Sequence, residues 1–216
     1  MNNQMRNTKL LSALLLLAIA IASCGSQKKV ADDIFFQAAF DGDTAIINEY
    51  LKTVDVNSRD QDSTTALMYA AFNGHLDLAK HLLEKGADVK LVNKLDRSAL
   101  MFAATSPSAE MVQLLIDKGA DVNLGDKEEN WTPYLMAAAE GLIKNMDVLE
   151  EAGADIMAKD VDGETALDFA MAHQKQEAMV YLIKKGVPSK NYNFKASSIE
   201  ELKNAQEAQQ VDVEKQ

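Results

Sequence analysis

The sequence predicts an all-α solenoid of about five helix-turn-helix repeats with short hairpin loops, because two markers recur along it with one period. The first marker is a glycine followed by alanine or valine, in steps of 33, 34 and 33 residues, at Gly86, Gly119, Gly153 and Gly186. The second is a hydroxyl side chain with matching steps, at Thr65, Ser98, Thr132 and Thr165. Self-similarity at a fixed period of roughly 20–50 residues indicates stacked repeats.

Within each repeat the residues predict two short helices in order. The hydroxyl residue is suited to cap the start of the first helix, and Pro133 stands just inside that start, where its missing N–H costs nothing. Alanine pairs such as Ala70-Ala71 let neighbouring helices approach closely. Gly74 and Gly141 separate the first helix from the second. Leucine-rich stripes then form the second helix, and the marker glycine ends it in a left-handed conformation.

These residues resemble the ankyrin repeat, a turn followed by two antiparallel helices. The resemblance covers residues 32–188, with repeats at about 32–57, 60–90, 93–123, 127–157 and 160–188. The first repeat lacks the glycine stop and the Thr-Pro start, as a capping repeat can. Where the family's start motif has histidine, this chain has Met68, Met101, Leu135 and Asp168. The loop Leu124–Trp131 is one residue longer than its counterparts.

Residues 1–23 read as a signal peptide: a basic start with Arg6 and Lys9, then the apolar run Leu10–Ala22, which is shorter than the ~20 residues that span a bilayer. Ile21-Ala22-Ser23-Cys24 resembles the bacterial lipobox, which implies cleavage before Cys24 and acylation of that residue. Acylation accounts for the lone cysteine, and two or more acyl chains anchor stably. Gly25, in place of an aspartate, favours the outer membrane over the inner membrane.

The remaining segments are polar. Residues 24–31 are expected to be a tether, and residues 189–216 a tail with a capping box that opens a helix at about 199–210; the tail could dock on the stack or extend freely. Removal of residues 1–23 would change the net charge from −11 to −13. An acidic surface repels nucleic acid and anionic lipid. We therefore expect no nucleic-acid partner, and membrane contact through acylated Cys24 alone.

The family resemblance implies a protein-binding concave face, made of loop tips and the exposed edges of the first helices. By position, the predicted protein-binding residues are Phe40, Asp62, Thr64, Phe72, Asn73, Lys94, Arg97, Glu129, Trp131, Glu140, Asp162, Glu164 and His173. Aromatic and arginine side chains dominate interface energetics, so Trp131, Phe72, Phe40 and Arg97 are the candidate anchors. Trp131 could instead be a lid that packs on its neighbour, and Phe40 part of a cap.

No metal, cofactor or nucleophile motif occurs in the sequence, so we expect no enzyme activity, no cofactor and no metal site. The sequence therefore predicts a monomeric, lipid-anchored module facing the periplasm. It would recognise a partner protein that carries a basic patch, as an immunity or inhibitor protein or as an accessory of an envelope enzyme. The alternatives are a cryptic hydrolase and a purely structural envelope protein.

Overall fold

Residues 25–192 are described in the computed structural model, with side chains described from Asp32 onward, and this part of the chain forms ten helices in five consecutive pairs. The first helices of the pairs are α1 (Gly25–Asp41), α3 (Ala66–Phe72), α5 (Ala99–Ala104), α7 (Pro133–Glu140) and α9 (Ala166–Ala172). The second helices are α2 (Thr44–Tyr50), α4 (Leu76–Glu84), α6 (Ala109–Asp117), α8 (Ile143–Glu151) and α10 (Gln176–Lys184). First helices pack on first helices and second on second, which confirms the predicted all-α repeat solenoid.

The first helices begin at the predicted hydroxyl residues. The Oγ atoms of Thr65, Ser98 and Thr132 each accept the backbone N–H three residues later, at 3.3 to 3.4 Å. Thr165 differs, because its backbone N–H and its hydroxyl both donate to Asp168 Oδ2, each at 2.9 Å. An N-terminal cap of this kind contributes about 1 kcal/mol, so three of the helix starts are fixed locally by sequence.

Burial between repeats holds these short helices, which would be marginal alone. Leu67, Leu100 and Leu167 are almost inaccessible in α3, α5 and α9, and the predicted alanine pairs are fully buried between neighbouring helices. Truncation of such a leucine to alanine costs about 2–5 kcal/mol. At the junction between α1 and α2, Gly42 has a φ of 76°, and a Cβ there would lie 2.7 Å from Nδ1 of His75 in the next repeat.

The junction between α5 and α6 departs from the glycine pattern. Gly74 and Gly141 follow first helices with φ of 70° and 73°, but Pro107 stands at the equivalent position, and proline holds φ near about −65°. α5 accordingly ends at Ala104. Ser108 then starts α6 by accepting a backbone N–H with its hydroxyl.

A buried amide of the next repeat binds the carbonyls at this junction. Asn145, on α8, is 1% exposed, and its Nδ2 lies 3.1 Å from the carbonyl oxygen of Ala104 and 2.7 Å from that of Ser106. The last carbonyls of a helix lack intrahelical donors, so Asn145 supplies a donor from outside. The side chain thereby ties the fourth repeat to the third.

The hairpin loops form a row of fingertips, each ordered by one polar side chain, at Asp60, Asn93, Asp126 and Asp160. Asp60 shows the arrangement, since its Oδ1 accepts the N–H groups of Asp62 and Thr64, both at 2.8 Å. Successive fingertips are joined by backbone hydrogen bonds of 2.9 to 3.0 Å. The third fingertip has its positive φ at Asn130, four residues after the ordering carboxylate instead of three, which is where the extra residue is accommodated.

The N-terminal end of the stack differs from the sequence expectation, whereas the start of the tail follows one of the two alternatives that the sequence left open. The segment expected to be a tether is helical from Gly25 onward, because α1 begins there and runs into the first repeat. At the other end, the carboxylate of Asp168 accepts the hydroxyl of Ser189 and the N–H of Lys190, so the chain just beyond the last repeat is held against α9. Cys24 and the predicted helix 199–210 lie outside the described residues.

Within residues 25–192, no helix is both long enough and apolar enough to cross a bilayer.

Candidate functional site

The fingertips and the exposed edges of the first helices carry most of the predicted binding residues, and we call this surface the inner face. Eight of the predicted side chains on it are solvent-exposed: Phe40, Asp62, Phe72, Asn73, Lys94, Glu140, Asp162 and His173. The rings of Phe40 and Phe72 are 40% and 48% exposed and stand in successive repeats. Exposed aromatic rings of this kind are the side chains best able to anchor a partner. Their role in binding stays a prediction.

Thr64 is not available to a partner, which corrects its place among the predicted binding residues. It is 8% exposed, because it lies at the base of the first fingertip rather than at its tip. Its N–H donates to Asp60 Oδ1 at 2.8 Å. Thr64 is therefore part of the loop that Asp60 orders.

Arg97 is held inside the stack rather than presented as an anchor. Its Nε and Nη2 donate to Oδ2 of Asp126 at 2.9 and 2.8 Å, and the carboxylate of Asp126 is fully buried. The same carboxylate accepts the N–H groups of Glu129 and Trp131. Loss of one partner would leave an uncompensated buried charge, so this guanidinium links the second fingertip to the third.

The ring of Trp131 packs as a lid, the alternative that the sequence left open. It meets the ring of Phe169 edge to face, with centroids 5.1 Å apart, and the side chain is only half exposed. Its Nε1 is buried without a hydrogen-bond partner, whereas a buried tryptophan N–H usually has one. Glu129 and Glu164 are likewise half buried. The backbone groups of these two residues form hydrogen bonds within the last fingertip and between the last two fingertips.

Two edge-to-face contacts join the exposed phenylalanines to the next repeat. The ring of Phe40 lies 6.1 Å from that of Tyr69, and the ring of Phe72 lies 6.1 Å from that of Phe102. Tyr69 donates its hydroxyl to Asp60 Oδ2 at 2.6 Å. Burial, and then that hydrogen bond, raise the pKa of Tyr69 to about 12. The phenol is therefore a neutral donor at physiological pH. It fixes the aromatic row, which consists of the rings of Phe40, Tyr69, Phe72 and Phe102, to the first fingertip.

The aromatic row opens at its N-terminal end into a cavity of about 810 Å³ between α1 and the first fingertip. Its walls combine aromatic rings with charged groups: Asp32, Asp33, Phe36, Gln37, Phe40, Arg59, Asp60, Gln61, Asp62 and Tyr69. Ligand-binding clefts commonly have about 300–1,000 Å³. The cavity is therefore large enough for more than one side chain of a partner.

Among the described residues, one group of acids approaches the geometry of a cation site. Glu129, Asp160 and Asp162 bring carboxylate oxygens within 4.8 Å of one another. Asp160 already accepts the N–H of Glu164 at 2.7 Å, so its position is explained by the turn. Fingertip acids of this kind are ordinary on an acidic surface and carry no assignment.

The histidines of the described chain have structural surroundings. His75 Nε2 lies 2.9 Å from the carbonyl oxygen of Phe40, and His81 Nε2 lies 2.6 Å from Asn48 Oδ1. Both contacts bridge one repeat to its predecessor. His173 is exposed at the end of α9. Among the hydrogen bonds of the described residues, none joins these rings to a serine, threonine or cysteine side chain.

A family model for ankyrin repeats matches the chain in three copies, over residues 6–93, 35–126 and 87–160. The chain is an ankyrin-repeat protein. Ankyrin repeats form protein–protein interaction modules, which are typically not enzymes. The match ends at residue 160, so the fifth helix pair is recognised from the structure and the repeated spacing.

Curated relatives share short stretches with this ankyrin-repeat protein. Human Ankyrin repeat domain-containing protein 29 is 43% identical over 58 residues, 26% of this chain and 19% of that protein. Human Ankyrin repeat domain-containing protein 49 is 49% identical over 41 residues, 19% and 17% of the two chains. The human NAD-capped RNA hydrolase NUDT12 is 42% identical over 62 residues, 28% and 13%. The chain spans less than a fifth of each of these relatives, so none of them transfers an activity.

Sequence reasoning missed Asn145 and Asp126, two of the buried polar side chains that tie repeats together. A signal for Asn145 exists, because Leu78, Met111 and Ala178 occupy its position in other repeats and all are buried. A polar residue in an otherwise apolar series predicts a specific buried partner. Asp126 recurs in step with Asp60, Asn93 and Asp160, and that third marker was available in the sequence.

Proposed function

We propose that this ankyrin-repeat protein is an envelope-anchored binding module that recognises a partner protein through its inner face. The observation that carries the proposal is the pair of exposed rings, Phe40 and Phe72, which stand in successive repeats on the surface that the family uses for binding. Exposed polar side chains on the same face include Asn73 and Lys94. A preformed surface binds with little loss of conformational entropy.

The anchoring half of the proposal rests on the sequence. The lipobox-like segment that ends at Cys24 supports acylation there and export to the periplasmic side of the envelope, with the outer membrane favoured. Replacement Cys24→Ser in the full chain is expected to move the protein from the membrane fraction to the soluble fraction. Unchanged fractionation would mean that acylation of Cys24 is not the anchor.

Affinity capture from detergent-solubilised envelopes tests the binding half. The bait is the full-length tagged chain, compared with Phe40→Ala/Phe72→Ala and with the matched variant Lys80→Ala/Glu84→Ala, which changes exposed residues of α4 instead. We expect one dominant protein that the inner-face variant loses by at least tenfold, the ratio for roughly 1.4 kcal/mol, and that the α4 variant retains. Equal recovery by both variants would exclude the inner face.

The identity of the captured protein separates the two narrower roles. A toxic enzyme whose activity falls in the complex would make the chain an immunity or inhibitor protein. An envelope enzyme whose activity or abundance depends on the chain would make it an accessory. Absence of any saturable partner would instead favour a structural envelope protein.

A further inference from the structure

The cavity between α1 and the first fingertip differs from the rest of the inner face in its chemistry. Aromatic rings from Phe36, Phe40 and Tyr69 share its wall with four carboxylates and a single guanidinium, that of Arg59. Cationic side chains are attracted both to carboxylates and to the faces of aromatic rings. The combination therefore favours a positively charged occupant over a neutral or anionic one.

Only part of this negative charge is engaged within the protein. The Asp60 carboxylate already accepts three hydrogen bonds, from the N–H groups of Asp62 and Thr64 and from the Tyr69 hydroxyl. Asp62 has one weak partner, Lys94 Nζ at 3.8 Å, and its side chain is 80% exposed. Asp32 and Asp33 have no ion pair or side-chain hydrogen bond with any described side chain. Among the described side chains, two carboxylates on α1 therefore have no partner and one on the fingertip has only a weak one.

Arg59 leaves this free charge uncompensated. Its Nη1 points to the carbonyl oxygen of Val92 in the next repeat, at 3.4 Å, and forms no ion pair among the described residues. Residues 193–216 contain three lysines against five acidic residues, so their net charge has the same sign as that of the cavity. A segment with a net negative charge does not complement an acidic cavity, and this favours a cationic occupant from another molecule.

We propose that this cavity receives an arginine-bearing segment of the partner protein, with a guanidinium held between the ring of Phe40 and the carboxylates of Asp33 and Asp62. Arginine fits better than lysine because its planar fork pairs with carboxylates and also stacks on aromatic rings, whereas a lysine ammonium is a strongly hydrated point charge. A cavity of about 810 Å³ holds a short segment of chain rather than one ion. This inference rests on the proposed function and specifies the partner's chemistry.

Fluorescence anisotropy with labelled peptides tests the inference without knowledge of the partner. The full-length protein in non-ionic detergent is titrated with an eight-residue alternating Arg-Gly peptide and with its Lys-Gly analogue. The pocket variant is Asp33→Asn/Asp62→Asn. The control variant Glu84→Gln/Glu151→Gln removes the same net charge from exposed positions on α4 and α8, so nonspecific attraction to an acidic protein falls equally in both.

We expect the Arg-Gly peptide to bind more tightly than the Lys-Gly peptide, and the pocket variant to weaken Arg-Gly binding by roughly tenfold, the ratio for about 1.4 kcal/mol. The control variant should change it less than about twofold. Phe40→Leu keeps the apolar volume and removes the ring, so it should abolish the preference for arginine. Equal weakening by the two double variants, or an arginine preference that survives Phe40→Leu, would overturn the inference.

The peptide test and the partner capture fail independently. If capture depends on the inner face but the peptides ignore the cavity, the arginine pocket is wrong and the binding module stands. If the peptides bind in the cavity but no partner is captured from envelopes, the arginine pocket stands and the proposed function is wrong.

Discussion

Replacement of Asn145 by aspartate would expose how the fourth repeat is held to the third. The amide Nδ2 is the buried donor to the carbonyl oxygens of Ala104 and Ser106, at 3.1 and 2.7 Å. A carboxylate of the same shape cannot donate, and it would face those oxygens with a negative charge. Only protonation restores a donor.

The magnitude follows from the two shorter hydrogen bonds. Each lost bond costs about 1 kcal/mol, and a buried group left without a partner costs about 1–3 kcal/mol. Asn145→Ala should therefore lower the free energy of unfolding by roughly 2–4 kcal/mol. Asn145→Asp should cost more at pH 7, because an ionised carboxylate is also desolvated.

The two variants should respond differently to pH. Burial among carbonyl oxygens raises the folded-state pKa of the carboxyl group introduced by Asn145→Asp above its unfolded value of about 4. The stability deficit of Asn145→Asp should therefore be smallest below about pH 4 and grow as the pH rises through that value. The deficit of Asn145→Ala should stay constant over the same range, relative to the natural chain at each pH.

Urea denaturation followed by circular dichroism at pH 4 and pH 7 measures both effects. Asn73→Asp is the matched control, because Asn73 Nδ2 donates to the carbonyl oxygen of Phe40 at 3.1 Å but in an exposed position; it should cost less than about 1 kcal/mol. A deficit for Asn145→Asp no larger than that of Asn73→Asp, or one that does not depend on pH, would refute this explanation of the α5–α6 junction.

Three further predictions concern other parts of the stack. Trp131→Ala should lower the free energy of unfolding by about 2–3 kcal/mol, because the half-buried ring packs on the last repeat, whereas Phe72→Ala should cost less than about 1 kcal/mol; urea denaturation compares them. Burial raises the pKa of Asp168, but its hydrogen bonds outweigh that effect, so the folded-state pKa is lowered. The stabilisation is therefore present above about pH 4 and is lost as the pH falls through the folded-state pKa. Thermal denaturation from pH 7 to pH 2 should show that Asp168→Asn is less stable than the natural chain at pH 7 and that this difference closes in acid. Gly42→Ala should destabilise more than Gly86→Ala in the same denaturation assay, since both have positive φ but only the former would place a Cβ against an imidazole.

Much of the fold could be predicted because its determinants are local and recur. Thr65, Ser98 and Thr132 cap helices in the structure as their positions predict, and the marker glycines have the left-handed φ that ends a helix. Each of these residues acts on its own turn of chain. Each capping residue or glycine is a weak indication alone, but the same pattern in successive repeats with one period is a strong one.

The candidate site was predicted less well, because exposure depends on contacts between repeats. Register alone places Arg97 and Trp131 on the inner face, but it contains no information on Asp126 and Phe169, which bind them from a neighbouring repeat. The prediction that Thr64 is exposed was wrong because its backbone N–H donates to the Asp60 carboxylate within the same loop. The exposed pair Phe40 and Phe72 was identified because nothing in the next repeat covers those rings fully.

Site-specific photo-crosslinking in living cells tests the central claim most directly, that partners meet the inner face of the stack. A benzophenone amino acid is placed at Phe72, on the inner face, and in a second strain at Lys80, which is exposed on α4. We predict one discrete covalent adduct after irradiation of the Phe72 strain and none from the Lys80 strain. The same adduct from both positions, or from Lys80 alone, would contradict the account.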